Sequence, residues 1–370
     1  MKIGLVIYGS LDIVTGGFLY DRLLVEYLES RGDRVEVVSL PWPTYGQGLL
    51  DNYAAGFRER LEGLDCDVLL QDALIHPSFF RLNRRLRRVL PCPLIAVVLH
   101  LRGKEAHPPW LQKLYRWVEK EYLNTVDGFI CISRAVKGEV EEMAGSHRPL
   151  VVARPGGNRL PGGISREEIT SRALAPGPLQ IVFVANLIPR KELHTLMGVL
   201  ADLPRDKWRL TVAGSLTMAP AYVAGIRGRI EQEGLEEQVS LLGTLAAPEL
   251  AELMTRSHLQ VMPSSYEAFG IVYLEGMNFG LPAIAATAGG AREIIHHGVD
   301  GYLVAPGDRN ALARRLADLM GDRRLLLRLS LAAKKKYTLY PTWEESFSAV
   351  RRFLHIFVET WKSDLRELEL

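Results

Sequence analysis

The sequence predicts an α/β protein built from two doubly wound parallel sheets, each the core of its own domain. Three observations carry this. Short apolar runs of strand length alternate with helical segments along almost the whole chain, which is the pattern of βα units. The alternation breaks once, at the turn-rich stretches 155–163 and 175–178, where Gly and Pro accumulate, and then resumes. At 370 residues the chain exceeds the usual size of one domain.

The first half opens with an apolar run over 2–8, read as a buried parallel strand. Gly16-Gly17 follows, then a helical face of Leu19, Leu23, Leu24, Tyr27 and Leu28, closed by Gly32. Further strands are predicted at 35–40, 68–71, 94–99 and 128–132. Helices are predicted at 50–64, 77–90, 110–124 and 134–144, and the first sheet ends near 150–154. The second half repeats the pattern, with strands at 180–185, 209–213, 239–242, 259–262, 283–286 and 301–304. Its helices fall near 191–202, 219–233, 247–256, 270–279, 290–297 and 308–320. The tail, 342–370, reads as one or two amphipathic helices. Trp343, Phe347, Val350, Phe353, Leu354, Phe357 and Trp361 form a packing stripe that suits docking on either domain.

Composition narrows the function classes. Apolar residues make up 48% and charged residues 24%, and the net charge is +2, ordinary for a globular protein and unlike a nucleic-acid binder. Cys66, Cys92 and Cys131 lie in or beside apolar runs and form no CxxC pair, as expected of buried thiols in a reducing compartment. The N-terminus lacks a small-residue cleavage site, and no apolar run nears the ~20 residues of a membrane span. A cytoplasmic protein is expected.

The chemistry concentrates in 261–297, a strand–loop–helix–strand–loop–helix run whose loops share one sheet edge. Ligands of open α/β sheets bind at that edge. Glu267 lies in the first loop and Glu275 inside the next helix. They are too far apart for a same-face pair. Either they contact different parts of one ligand, or Glu267 caps the helix and Glu275 is solvated. The helix start at Phe269-Gly270-Ile271 offers N–H groups suited to an anion such as a diphosphate. Arg190 and Lys191 follow a strand at the same edge and either neutralise phosphate charge or form a solvated surface pair. Gly16 and Gly17 offer a second candidate phosphate cradle, on a lone glycine pair without the GxGxxG fingerprint of dinucleotide enzymes. His100 ends a strand at the ligand edge of the first sheet, in a functional or a structural role. Asp65-Cys66-Asp67 reads as a turn before a strand, and His296-His297 has no zinc spacing. Arg81, Arg84, Arg85, Arg87 and Arg88 form the one notable charge run, either a solvated face or a contact with an anionic membrane surface.

Together these residues resemble the family 4 retaining glycosyltransferases, group 1 enzymes of the two-domain GT-B fold. The specific part is Glu267-(seven residues)-Glu275 within SSYEAFGIVYLEGMNFGLPAIAATAGGAREII, with Gly301-Tyr-Leu-Val-Ala-Pro-Gly-Asp308 beyond it. The resemblance implies a Rossmann-like acceptor domain over 1–160, a Rossmann-like nucleotide-sugar domain over 175–341, and tail helices crossing back to the first, the two domains facing a cleft. It implies that Glu275 binds ribose hydroxyls, that Glu267 contacts the donor sugar, and that the Phe269-Gly270-Ile271 backbone faces sugar or phosphate. Arg190 and Lys191 would stabilise the departing diphosphate, Gly17 with Gly16 would add amide contacts, and His100 would lie near sugar and acceptor. Neither metal nor cofactor is expected. The partners are a nucleotide-sugar donor (UDP-, GDP- or ADP-linked) and a sugar or lipid-linked acceptor, with peripheral contact at the inner membrane face through the arginine row. The chain departs from the family at Ala185-Asn186, where Gly-Arg is common, so Asn186 takes the arginine's place beside the donor and Arg190 becomes the candidate for its charge. Lys191-Glu192 replaces Lys-Gly, and Pro155-Gly156-Gly157-Asn158 replaces Pro-Asn-Gly. The competing expectations are a related protein that binds nucleotide without transfer, and a GT-B sugar-nucleotide epimerase. A phosphorylase would need a pyridoxal phosphate lysine motif that is not seen.

Overall fold

The computed structural model describes residues 1–13, 15–53, 59, 61 and 63–368. The chain forms two compact units, Met1–Pro155 with Trp343–Leu370, and Gly156–Thr342. Among the described residues each unit holds one six-stranded sheet, parallel throughout. This is the architecture of GT-B glycosyltransferases.

In the first unit the strands are β1 (Lys2–Tyr8), β2 (Arg34–Leu40), β3 (Val68–Asp72), β4 (Leu94–Val98), β5 (Gly128–Cys131) and β6 (Leu150–Val152). They lie in the order β2-β1-β3-β4-β5-β6. The chain leaves β1 for β2 on one side and then returns to β3 on the other, so the strand order reverses between β1 and β3. Such a switch point opens a crevice beyond the strand C-termini. β3, β4 and β5 are buried along their whole lengths, which is why they read as unbroken apolar runs. The helices are α1 (Gly16–Ser30), α2 (Tyr45–Asp51), α3 (His76–Phe79), α4 (Leu82–Leu86), α5 (Pro109–Leu123) and α6 (Arg134–Ala144).

One helix expectation here needs correction. The continuous helix expected over 77–90 is broken into α3 and α4. The Asn52 side chain accepts from the amides of Arg81 (2.9 Å) and Leu82 (3.2 Å) and donates to Pro77 O (2.6 Å). It takes over the backbone partners that an unbroken ladder would use. Of the helix expected over 50–64, residues 54–58, 60 and 62 lie outside the described residues. The tail is a single helix, α15 (Trp343–Leu368). Trp343 and Phe347 meet Tyr20 of α1 edge-on at 5.9 and 5.2 Å, and Arg351 bonds Asp33 at 2.6 Å.

The second unit carries α7 (Arg166–Leu174), β7 (Leu179–Val184), α8 (Leu193–Ala201), β8 (Trp208–Ala213), α9 (Pro220–Glu233), β9 (Val239–Gly243), α10 (Ala247–Arg256) and β10 (Leu259–Met262). Then follow α11 (Ile271–Asn278), β11 (Ala283–Ala286), α12 (Ala291–Ile294), β12 (Gly301–Val304), α13 (Arg309–Gly321) and α14 (Arg323–Tyr337). The order β12-β11-β10-β7-β8-β9 puts the switch point between β7 and β10. α7 and α14 were not foreseen. α7 lies between the two turn-rich stretches, starts at a Ser165–Glu168 capping box, and puts Ile169 into a core shared with Leu160, Val182, Met254 and Phe279. Among the described residues no helix is long and apolar enough to cross a membrane.

One buried pair sets a pH dependence. Asp21 on α1 and Asp72 at the end of β3 are both fully buried, and Asp72 also caps the Leu74 amide at 2.9 Å. Burial, reinforced by the Asp72 charge, holds the Asp21 carboxyl well above the usual range. Burial pushes Asp72 up to about 6. Both shifts are upward, so the folded state binds protons more tightly than the unfolded chain. Their stabilisation is present at acid pH and is lost as pH rises through about 6. Asp72→Asn keeps an acceptor for Leu74 and removes the buried charge. It is expected to gain about 1–3 kcal/mol over the native chain at pH 8 relative to pH 5. Melting temperatures across that range check this; parallel profiles for the two proteins would refute it.

Candidate functional site

The site residues of the second unit are set by the loops leaving β7 and β10, the two strands flanking the switch point. After β7, Asn186 turns its side chain to the loop after β8, accepting from Ser215 N at 3.0 Å. A 3₁₀ turn, Pro189–Lys191, then brings two cations to the sheet edge. It closes at Glu192, the one non-glycine with positive φ (59°) among the described residues. The resemblance implies Gly at this position, and Gly adopts that conformation freely. Arg190 is tied to the β10 loop both ways: its carbonyl accepts from Ser265 N at 2.9 Å, and its Nη1 donates to Tyr266 O at 2.7 Å.

Lys191 Nζ lies 2.5 Å from Glu267 Oε2, and each side chain is 14% exposed. This pair was not foreseen, because the sequence places both residues at one edge without showing that they touch. Glu267 is held by its backbone to the loop after β11. Its amide donates to Ala288 O (3.3 Å), its carbonyl accepts from Gly290 N (2.7 Å), and it bridges to Gly289.

Helix α11 begins at Gly270, in a left-handed conformation (φ 97°) that favours glycine, with no side-chain cap. The reading of Glu267 as its cap is therefore incorrect. Its first amides, at Ile271 and Val272, have no partner within the helix, as at any helix start, and suit an anion. Phe269 is buried and packs 6.3 Å from the Tyr340 ring, which holds the entry to the helix. Glu275 is not solvated either. It is buried and accepts from Arg159 Nε at 2.6 Å.

In the first unit, Gly16 and Gly17 open α1 behind the N-cap Thr15, whose hydroxyl accepts from Phe18 N at 3.3 Å. A Cβ on Gly17 would meet only an ordinary contact, Leu99 at 3.6 Å, so packing does not demand glycine there. What glycine leaves bare is the approach to the first-turn amides. His100 Nε2 lies 2.8 Å from Glu105 Oε1, and Glu105 Oε2 lies 3.3 Å from His107 Nε2. His107 stacks edge-on against Tyr115 at 4.8 Å. Glu105 and His107 escaped the sequence reading. β4 ends at Val98, so His100 lies in the loop after it rather than on the strand, and the available signal was a Glu and a second His in that same loop. Nearby, buried Glu119 accepts from the Arg102 (2.5 Å) and Gly103 (3.0 Å) amides, and burial pushes its carboxyl up to about 7.

In the arginine row, Arg84 pairs with Glu121 at 2.9 Å, Arg87 with Asp127 at 2.5 Å, and Arg81 reaches the Tyr53 hydroxyl at 2.5 Å. Those internal partners offset part of the charge that an anionic surface would meet. Cys92 and Cys131 are buried and Cys66 is half-buried, all three as free thiols. Among the described residues no three His, Cys, Asp or Glu side chains gather as a metal site.

The family model for glycosyl transferases group 1 matches residues 165–336, and the model for a glycosyl transferase 4-like domain matches 12–156. The chain belongs to the group 1 glycosyl transferases. The first match contains Lys191, Glu267 and Glu275, and the second contains Gly16, Gly17 and His100. An exopolysaccharide phosphotransferase of Streptomyces coelicolor is 32% identical over 234 residues, covering 60% of this chain and 23% of that protein. The chain spans less than two thirds of the length of the curated relatives it matches. Among solved structures, sucrose-phosphate synthase from Thermosynechococcus elongatus has a TM-score of 0.80 at 18% identity, covering 97% of this chain and 99% of that one. Anabaena HepE, solved in complex with UDP and glucose, has a TM-score of 0.75 at 22% identity, covering 96% and 99%. These likenesses establish the GT-B fold of this group 1 glycosyl transferase.

Proposed function

We propose that this glycosyl transferase moves a sugar from a nucleotide diphosphate sugar to an acceptor hydroxyl, with retention at the anomeric carbon and without a metal. The observation that carries the reading is the Lys191–Glu267 pair at the β7/β10 switch point, beside the uncapped start of α11. A cation beside a helix start without a side-chain cap suits a diphosphate. A carboxylate beside the cation suits sugar hydroxyls.

In this reading Glu275 accepts from the ribose hydroxyls, and Glu267 holds the donor sugar. Lys191 and the Phe269-Gly270-Ile271 backbone hold the diphosphate. Arg190 shapes the loop and adds charge, and Asn186 fixes the neighbouring loop. Within the first unit, the same reading gives Gly16 and Gly17 amide contacts to an anion and His100 a polar contact to a sugar. The acceptor oxygen bonds to the anomeric carbon on the face the diphosphate leaves. The carbon–oxygen bond to phosphate breaks, and the acceptor proton passes to the departing phosphate oxygen. Catalysis is then positioning plus stabilisation of the charge that develops on that oxygen.

Thermal shift with UDP, GDP and ADP should single out one nucleotide. NMR of the first product from the matching α-linked donor should show an α-anomer. A β-anomer would refute retention, and no response to any of the three nucleotides would refute the donor class. Asn186, held by Ser215 N where the resemblance implies a cation, favours a second reading: binding without transfer. Nucleotide binding with no donor turnover would decide for it.

A further inference from the structure

We infer that Arg159 is a donor-side positioning residue, holding the Glu275 carboxylate in the pose that accepts from the ribose hydroxyls. The inference rests on the proposed ribose role of Glu275. It concerns a residue that no motif marks, 116 positions away in sequence.

The geometry is specific. Arg159 Nε donates to Glu275 Oε1 at 2.6 Å, and the side chains are 27% and 4% exposed. Among the described residues no second donor bonds this carboxylate. One guanidinium nitrogen on one oxygen leaves the other oxygen able to accept from a neutral hydroxyl. A buried carboxylate without a charged partner would turn toward water or take up a proton. Either change removes the acceptor that a ribose diol needs.

The segment bearing Arg159 is itself held. A Cβ on Gly157 would lie 2.7 Å from the Tyr337 ring and 3.0 Å from Leu274 Cβ, so the backbone runs flush between α11 and α14. Two residues later comes Arg159, and then Leu160, buried in the core of the second unit. Asn278, at the end of the helix that carries Glu275, donates to Gly162 O at 3.2 Å and accepts from Lys334 at 3.0 Å. The turn-rich stretch 155–163 is thus clamped on both sides of Arg159, which limits the directions its side chain can take. A clamped cation on a buried carboxylate is an arrangement for orienting that carboxylate.

The test is calorimetric binding of UDP, GDP and ADP against their 2′,3′-dideoxy forms, using the full chain and its Glu275→Ala, Arg159→Ala and Arg159→Lys variants. The native protein is expected to prefer the ribose form of its nucleotide by about tenfold, the size of one charge-assisted hydrogen bond. Glu275→Ala should abolish the preference. Arg159→Ala should also reduce it to about twofold or less, and Arg159→Lys should restore part of it. A merely structural role would weaken both nucleotide forms alike and leave the ratio intact. An unchanged ratio in Arg159→Ala, or tighter binding of the ribose form than in the native protein, overturns the inference, and the second result would make Arg159 a competitor of ribose. An unchanged ratio in Glu275→Ala refutes the ribose role itself. Should Arg159→Ala fail to fold, the lysine variant decides: a ratio between those of the native and Glu275→Ala proteins supports the inference, and a native ratio despite the lost Nε donor overturns it.

Discussion

Alanine at Lys191 is expected to lower kcat for transfer by about 10²–10³-fold, with a smaller change in the donor KM. At rest the ammonium is neutralised by Glu267 at 2.5 Å, in a setting where both side chains are 14% exposed. On the proposed reading, a bound donor would bring a diphosphate that competes with Glu267 for the same cation. The charge on that diphosphate would grow as the bond to the anomeric carbon breaks. The ammonium would then bind the transition state more tightly than the ground state, and its loss should show in kcat. Glu267→Ala should act differently. It frees Lys191 of its partner, so binding of the free nucleoside diphosphate should hold or tighten while transfer falls. Because the two side chains touch, the effects should not add. The double variant is expected to be little slower than the worse single one. Steady-state kinetics of the three variants and calorimetry with nucleoside diphosphate measure this. Transfer within twofold of native in Lys191→Ala would remove the residue from the site.

The strands were the most legible part of the chain. β1, β10, β11 and β12 coincide with their apolar runs to the residue, because strands covered on both faces need apolar side chains throughout. What escaped depended on partners far away in sequence. Nothing near 77–90 announces the break between α3 and α4, since its cause is the side chain of Asn52. α7 hides between Gly- and Pro-rich stretches whose composition reads as linker, although it packs into the core. The site followed the same rule. Edge positions of Arg190, Lys191, Glu267 and Glu275 follow from strand order, whereas the contacts do not. Lys191 meets Glu267 across 76 residues and Arg159 meets Glu275 across 116. Periodicity and spacing describe neighbours along the chain; the first pair comes from β7 and β10 lying side by side, and the second from the 155–163 stretch running against α11 and α14.

The glycine pair after β11 shows how tightly that placement is built, and Gly289→Ala is expected to be among the most damaging single changes in the second unit. Gly289 has φ of 85°, which strains any other side chain, and a Cβ there would lie 2.0 Å from the Glu267 carbonyl oxygen. That carbonyl cannot step aside at low cost. It accepts from Gly290 N at 2.7 Å, and the Glu267 amide is engaged by Ala288 O at 3.3 Å. Gly290 is equally confined, with a Cβ placed 2.3 Å from Ala268 O. Relief requires the two loops to separate, which draws Glu267 away from Lys191. Strain and lost bonds together should cost about 3 kcal/mol or more, lowering the melting temperature by roughly 6–12 °C. Gly298→Ala isolates the backbone share of that cost. Gly298 has a similar φ of 77° but nothing within 4 Å of an added Cβ. It should lose only about 1 kcal/mol and keep transfer activity. If the two variants melt together and both remain active, the β10 and β11 loops tolerate separation, and the position of Glu267 does not depend on their contact. If Gly289→Ala alone loses transfer while nucleotide binding survives, the contact serves to hold Glu267 on the donor sugar.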